Sequence, residues 1–361
     1  MSLTATVAGE RNMQNGKDLG FRPSTGASCW PPASELHRRA ARAREMLARC
    51  EVCELRCGVD RLAGQRARCG LGGASHLYKS YISLNEEPGL SPALRVFLGG
   101  CNFRCPWCDE APQAFDDTGG VVNARTWAAE LHAAVSAGVR CISVLGGEPT
   151  LHVHTLLALA AAAERPLPIA LNTNLYMTPE VLDLLDGVAT HWLADFKFGN
   201  DACARRFAGV PDYLRVVTRN LRRLGAASGL IVRHVLLPGH FDCCFRPVIA
   251  WLGTELPGTR FQLYPGYVPC GRAARDAQIG RLNTRAEVVA ALAELAQRPL
   301  VTAAAPPEPV PSVAEAGGGH GELRVTIGAD GRVYCHDLTP GLAAVLAEVC
   351  RPEPAWREVA S

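Results

Sequence analysis

Three cysteines stand close together in the run Gly100-Cys101-Asn102-Phe103-Arg104-Cys105-Pro106-Trp107-Cys108, directly after the apolar stretch Leu94-Arg95-Val96-Phe97-Leu98. Three thiolates at this spacing suit a four-iron, four-sulfur cluster and leave its fourth iron without a protein ligand. An open coordination position is where a substrate or cofactor binds. Zinc is the alternative occupant; it closes its tetrahedron with a fourth ligand, which Asp109 would supply. The triad reads as the heart of a redox enzyme rather than of a binding module.

A second constellation precedes it: Cys50, Cys53, Cys57 and Cys69. Four thiolates close a site completely, so structural zinc and a fully ligated iron-sulfur cluster both fit. A segment this small has little core of its own, and a metal would supply folding energy. Cys270 and the pair Cys335-His336 are possible extra ligands, with a structural role expected for each. Cys141, Cys203, Cys243, Cys244 and Cys350 read as small buried apolar residues. Fifteen cysteines in 361 residues would also suit a secreted disulfide scaffold. A core this large needs no such staples, and seven of the cysteines fall into ligand-type groups, so a reducing cytoplasm is the expected setting.

The elements that must hold these groups alternate. Strands are predicted at Leu94–Gly99, Cys141–Leu145, Ile169–Asn172, His191–Phe196, Leu230–Leu236 and Arg260–Tyr264, with helical patterns near 124–137, 151–164, 178–186, 212–225, 243–255 and 284–297. Such alternation predicts an α/β fold with a parallel sheet, a partial (β/α)6 barrel of the triosephosphate-isomerase type, whose chemistry sits at the carboxyl ends of the strands. The expected organisation is a disordered tail over 1–32, then an N-terminal helix (33–49, with Ser34 as a cap) and cysteine-rich segment over 33–92. The barrel follows over 93–298, a Pro- and Gly-rich linker over 299–321, and a small C-terminal hairpin-helix tail over 322–361. Net charge is +2, with 48% hydrophobic and 20% charged residues. That balance gives no field for nucleic acid, and no apolar run reaches the roughly 20 residues of a membrane helix.

Several polar groups fall at predicted strand ends. Gly146-Gly147-Glu148-Pro149 ends the second strand, where glycines let backbone approach a ligand and a carboxylate can receive an ammonium. Asn172-Thr173-Asn174 ends the third and could reach ribose hydroxyls or cap the next helix. Asp195-Phe196-Lys197 ends the fourth, with a buried ion pair as the alternative. Arg233-His234 and the more weakly indicated Ser143, Tyr264 and Tyr267 are further contact candidates.

The triad, with Trp107 directly before its third cysteine, resembles the signature of the radical S-adenosylmethionine (SAM) superfamily, and Gly146-Gly147-Glu148-Pro149 is similar to that family's Gly-Gly-Glu motif. Residues 171–238, with Cys53-Glu-Leu-Arg-Cys57 and Asn85-Glu-Glu-Pro88, are similar to less-characterised relatives of pyruvate formate-lyase activating enzyme. Asp195-Phe196-Lys197 also looks like an element of glycyl-radical activating enzymes. The resemblance implies a [4Fe-4S] cluster on Cys101, Cys105 and Cys108, with S-adenosyl-L-methionine held by Trp107, Gly146, Gly147, Glu148, Asn172, Asp195 and Lys197. It implies a one-electron donor such as flavodoxin or ferredoxin, reductive cleavage of the sulfonium, and hydrogen abstraction from a protein glycine, or from a peptide or small molecule. The reading from another class is a non-catalytic zinc-binding interaction protein. Cys335 beside an Asp-Gly turn also resembles the auxiliary-cluster tails of some peptide-modifying relatives.

Overall fold

The computed structural model describes residues 30–302, apart from 85, 88, 164–166 and 226–228, together with the strands 324–327 and 333–336. The sheet contains β1 (His76–Ser83), β2 (Ala93–Leu98), β3 (Gly120–Val121), β4 (Cys141–Gly146), β5 (Ile169–Thr173), β6 (His191–Asp195), β7 (Leu230–Val235), β8 (Arg260–Tyr264) and β9 (Val301–Thr302). Their order is β3-β1-β2-β4-β5-β6-β7-β8-β9. From β2 onward every pairing is parallel, and β1 runs antiparallel to both β2 and β3. Each parallel strand is laid beside its predecessor without reversal. That is the singly wound order of a barrel rather than a doubly wound sheet, and it stays open between β3 and β9.

The six predicted strands appear within a residue or two of their expected bounds. The helices between them are α2 (Ala124–Ser136), α3 (Val153–Ala162), α4 (Pro179–Leu184), α5 (Asp201–Cys203), α6 (Tyr213–Leu224), α7 (Arg246–Glu255) and α8 (Arg285–Leu295). Helix α1 (Ala33–Glu45) precedes the sheet and buries Leu36 and Ala43. Its N-cap is Pro32, with no side-chain cap; Ser34, expected to cap it, lies inside the first turn. Proline has a fixed φ suited to entering a helix, so the chain turns helical before the serine.

Three differences from the sequence reading concern the periphery. Trp30, placed in a disordered tail, packs against the core. Residues 76–83, assigned to the cysteine-rich segment, are a strand of the sheet, paired between β2 and the short β3. Val301–Thr302, assigned to the linker, add the last short strand. In the tail, β10 (Arg324–Ile327) and β11 (Val333–His336) form the expected antiparallel hairpin. The rest of the linker, the closing helix and the side chain of Cys335 lie outside the described residues. No helix among the described residues is long and apolar enough to cross a membrane.

Strand side chains alternate between two faces. One face (Leu94, Ile142, Ile169, Leu171, Trp192 and Val232 among others) packs under the helices in the main core. The other face turns into the barrel. There Ala93, Cys141, Ala170, Leu193 and Ile231, with Leu90 from the β1–β2 connection, form a separate small apolar floor. One step further along each strand, that inner face carries Arg95, Ser143, Asn172, Asp195 and Arg233. A barrel interior built only for packing would be filled by branched apolar layers. This one is apolar at the bottom and polar towards the carboxyl ends.

Candidate active site

The cysteine triad leaves the end of β2 on a loop pressed against the end of β4. The N–H of Gly147 donates to Leu98 O at 2.8 Å and that of Glu148 to Gly100 O at 2.9 Å. The approach is so close that a Cβ on Gly147 would stand 1.9 Å from Gly100 O, and Gly146 has φ +105°. Only glycine fits both demands. The Gly-Gly pair is thus the anvil on which the cysteine loop is shaped.

Cys105 is buried, and Cys101 and Cys108 are half-buried. Burial pushes all three thiols up, Cys108 to about 12; at Cys101 the nearby Glu148 adds to the rise, while at Cys105 Lys197 opposes it. Desolvation of this kind keeps the sulfurs protonated until a metal displaces the protons. The Phe103 N–H points at Cys101 Sγ at 3.4 Å, and Asn174 Nδ2 lies 3.9 Å from the same sulfur. Trp107 packs edge-on against Phe198, Phe207 and Tyr267. Cys270 sits beside this loop, its thiol 3.1 Å from Trp107 O.

Glu148 is the buried carboxyl group of the site. Its Oε1 accepts from the Thr150 N–H, the Thr150 hydroxyl and the Thr173 hydroxyl, and its Oε2 accepts from the Asn174 N–H at 2.8 Å. Burial raises its pKa, opposed by these donors. Among the described residues no lysine, arginine or histidine forms an ion pair with it. Two carboxylate oxygens offer about four acceptor sites, and Oε2 uses one, so it retains room for a further donor.

Lys197 supplies the opposite charge. Its Nζ lies 2.5 Å from Asp195 Oδ2. Burial alone would lower it, but Asp195 and Cys105 outweigh that and keep it an ammonium. The ion pair anticipated as the alternative reading of Asp195-Phe196-Lys197 therefore exists, and it faces the triad. Arg233 opposes Asp195 on β7 and pairs with Glu87 at 2.6 Å. Its neighbour His234 is buried, with Nδ1 2.7 Å from Phe196 O and a pKa lowered to about 4 by burial. Asn172 sits half-buried on β5 and makes none of the contacts to the cysteine loop. Asn174, two residues on, makes them, donating also to Asn102 Oδ1 at 2.8 Å.

These features fit a three-thiolate cluster with an amino-acid-like ligand beside it. The donor set is soft, the buried Glu148 carboxyl has no ion-pair partner among the described residues, and the Lys197 ammonium lies close enough to Cys105 to offset sulfur charge.

The second cysteine group packs against this site. Cys53 bridges to Met177 just beyond β5, and Arg61, between Cys57 and Cys69, is buried with Nη1 donating to Leu151 O at 3.2 Å. The Cys53 thiol, pushed up to about 12 by burial, senses Cys69 and Cys50, and Cys57 senses Cys50 and Cys69, so the four converge. Asn102 links the two groups. It faces Cys53, and its buried Nδ2 has no hydrogen bond of ordinary geometry.

Sequence reasoning missed one constellation. Cys203, Cys243 and Cys244, read as lone packing residues, come together with His240, all four ligand atoms lying within 4.8 Å of one another. Only Cys141 of the lone set in the described residues is plain core.

A family model described as the radical SAM superfamily matches residues 96–252. Uncharacterized protein MJ0674 of Methanocaldococcus jannaschii is 30% identical over 262 residues, which is 71% of this chain and 76% of that protein. Among solved structures, SuiB of Streptococcus suis bound to S-adenosylmethionine aligns with a TM-score of 0.44 and 16% identity over 56% of this chain. The alignment spans 47% of SuiB. QueE from Escherichia coli aligns with a TM-score of 0.32 and 14% identity, covering 63% of this chain and 93% of QueE.

Proposed function

This chain belongs to the radical S-adenosylmethionine superfamily and is an enzyme of that class, and we propose that its reaction is hydrogen abstraction from a backbone glycine of a protein partner. Family membership sets aside the reading as a non-catalytic zinc-binding protein. A [4Fe-4S] cluster with S-adenosylmethionine supplies one-electron reductive carbon–sulfur cleavage and the abstraction that follows. The protein's own residues bind, orient and shield.

Cys101, Cys105 and Cys108 hold the cluster, and Lys197 compensates their negative charge. The free acceptor site of Glu148 Oε2 would receive the ammonium of the methionine moiety, at the turn that Gly146 and Gly147 press against the cysteine loop. Asn172 and Asp195, on the polar inner face, line the space for the ribose and the substrate. Trp107 holds the cluster loop by its aromatic contacts. The apolar floor around Leu193 and Ile231 closes the barrel below and excludes water from that side. A small electron-transfer protein of the flavodoxin or ferredoxin kind supplies the electron.

The observation that supports this reading best is the buried carboxyl of Glu148 beside Cys101, with no ion-pair partner among the described residues. The choice of a glycyl substrate draws on the resemblance of residues 171–238 to glycyl-radical activases. A peptide or small-molecule substrate is the second reading. The contact of the Cys50–Cys69 group with the triad through Asn102 favours it, since an auxiliary cluster there would suit a longer reaction.

Replacement of Cys105 by Ala tests the core. Anaerobically reconstituted Cys105→Ala should bind about four fewer irons per chain and cleave no S-adenosylmethionine; retained cleavage overturns the assignment. For the substrate, deuterium from an α-deuterated glycyl peptide should appear in the deoxyadenosine product. Transfer only from side-chain-labelled peptide would move the reading to peptide modification.

A further inference from the structure

Away from the triad, the loop after β6 and the loop after β7 meet at Cys203, His240, Cys243 and Cys244. Cys203 ends α5, and a π-helical turn over Ala204–Ala208 follows it. His240 opens a second π-helical turn, Phe241–Phe245, which contains the other two cysteines. Such turns are rare and concentrate at functional positions. The two loops are in backbone contact, since a Cβ on Gly199 would lie 2.4 Å from Cys244 O.

The distances between ligand atoms are those of one tetrahedral ion. Zinc–sulfur bonds of about 2.3 Å and zinc–nitrogen bonds of about 2.0–2.1 Å require edges of about 3.8 Å between sulfurs and about 3.5 Å between sulfur and nitrogen. Cys203 Sγ and Cys243 Sγ are 4.0 Å apart, and Cys243 Sγ and Cys244 Sγ 3.9 Å. His240 Nδ1 lies 3.6 Å from Cys203 Sγ, 3.9 Å from Cys244 Sγ and 3.1 Å from Cys243 Sγ. Neither the triad nor the Cys50 group brings its sulfurs this close together. A cubane holds its thiolates on separate irons and needs that wider spacing; a single ion needs the narrower one. A supporting side chain is in place as well: Asn200 Nδ2 lies 3.3 Å from Cys203 Sγ and donates to Cys243 O at 2.7 Å, tying one loop to the other.

From this geometry we infer that Cys203, His240, Cys243 and Cys244 form a closed structural zinc site that clamps the β6 loop to the β7 loop. All four positions are filled by protein, so the ion fastens rather than catalyses. What it fastens bears on the active site. Phe207 lies between the His240 ring at 5.2 Å and the Trp107 ring at 5.6 Å, and Trp107 precedes Cys108.

Metal analysis of the full-length protein, expressed with zinc and purified anaerobically, tests this against Cys203→Ser. Wild type should carry one zinc per chain more than the variant, with equal iron in both. Equal zinc in the two overturns the site. A fall in iron on Cys203→Ser with zinc unchanged overturns it also, by making the occupant an iron-sulfur cluster. A measurement on wild type alone covers the case in which the variant does not fold. Cys243 is exposed, yet in zinc-loaded protein its alkylation, read by mass spectrometry, should be at least tenfold slower than after chelator treatment. Equal rates with and without chelator would sink the proposal.

Discussion

Among the described residues no lysine or arginine pairs with the buried Glu148 carboxyl, and that isolation gives it leverage. A hydrogen bond to a charged group contributes about 1.5–3 kcal/mol, equivalent to roughly a tenfold to hundredfold change in affinity. Glu148→Gln keeps the volume and the acceptor facing Thr150 and Thr173 but removes the charge. S-adenosylmethionine bound to the reconstituted variant should dissociate about 10–100-fold more readily in equilibrium dialysis, with iron content unchanged. An unaltered Kd would remove Glu148 from the binding site. Glu148 was legible in the sequence because a Gly-Gly-Glu run at a strand end is a local signal. Asn174 was harder to separate from Asn172, since both are short amides two residues apart. The difference lies beyond the strand: Asn172 is still in the pleat and looks across the barrel, whereas Asn174 has left it and folds back onto Asn102 and Cys101.

At the scale of elements, the site is a meeting of strand ends, and the glycines decide how closely they meet. Gly147→Ala would drive a methyl into Gly100 O, a backbone atom with no rotamer to escape to. Overpacking of this sort costs about 1–3 kcal/mol, which a domain of this size survives. The cysteine loop would move instead, and a shift of about 1 Å at a reacting centre costs on the order of a hundredfold in rate. Gly147→Ala should keep its far-ultraviolet circular dichroism, and its S-adenosylmethionine cleavage rate should fall by about two orders of magnitude. Wild-type turnover would show that the loop is not seated on this glycine. Sequence spacing singled out the triad because its three thiols lie within one loop. It could not reveal the Cys203 group, whose members come from two loops separated by α6 and β7. Only the parallel order of β6 and β7 makes those loops neighbours. Strand β1 was overlooked for a related reason: His76–Ser83 is half-buried along almost its whole length, so it shows neither clean alternation nor an apolar run.

For the molecule as a whole, the same economy that made the parallel strands readable also makes the fold sensitive to acid. Near-continuous apolar strands such as Cys141–Gly146 declare themselves, and the core they build buries polar groups that must stay neutral. His152 is the clearest, with Nδ1 2.8 Å from Ser75 Oγ and Nε2 2.8 Å from Gly99 O. Burial lowers its pKa to about 3, and Arg61 adds to the effect. The unfolded chain takes up this proton near pH 6.5, while the folded chain resists until about 3. Stability is therefore full above pH 6.5 and is lost as pH falls from there towards 3, by about 1.4 kcal/mol per pH unit for this one proton. Buried His154 and His234 act in the same direction, as does every carboxylate held ionised, so the acid loss of wild type alone would not identify His152. A difference of differences does. His152→Gln retains one donor and one acceptor and cannot titrate. Urea unfolding of both proteins at pH 7.5 and 5.5 should show wild type losing about 1.4 kcal/mol more than the variant over that interval. Parallel losses would mean that His152 is already charged in the fold, and the link it makes between the β4–α3 turn and the cysteine loop would have to be redrawn.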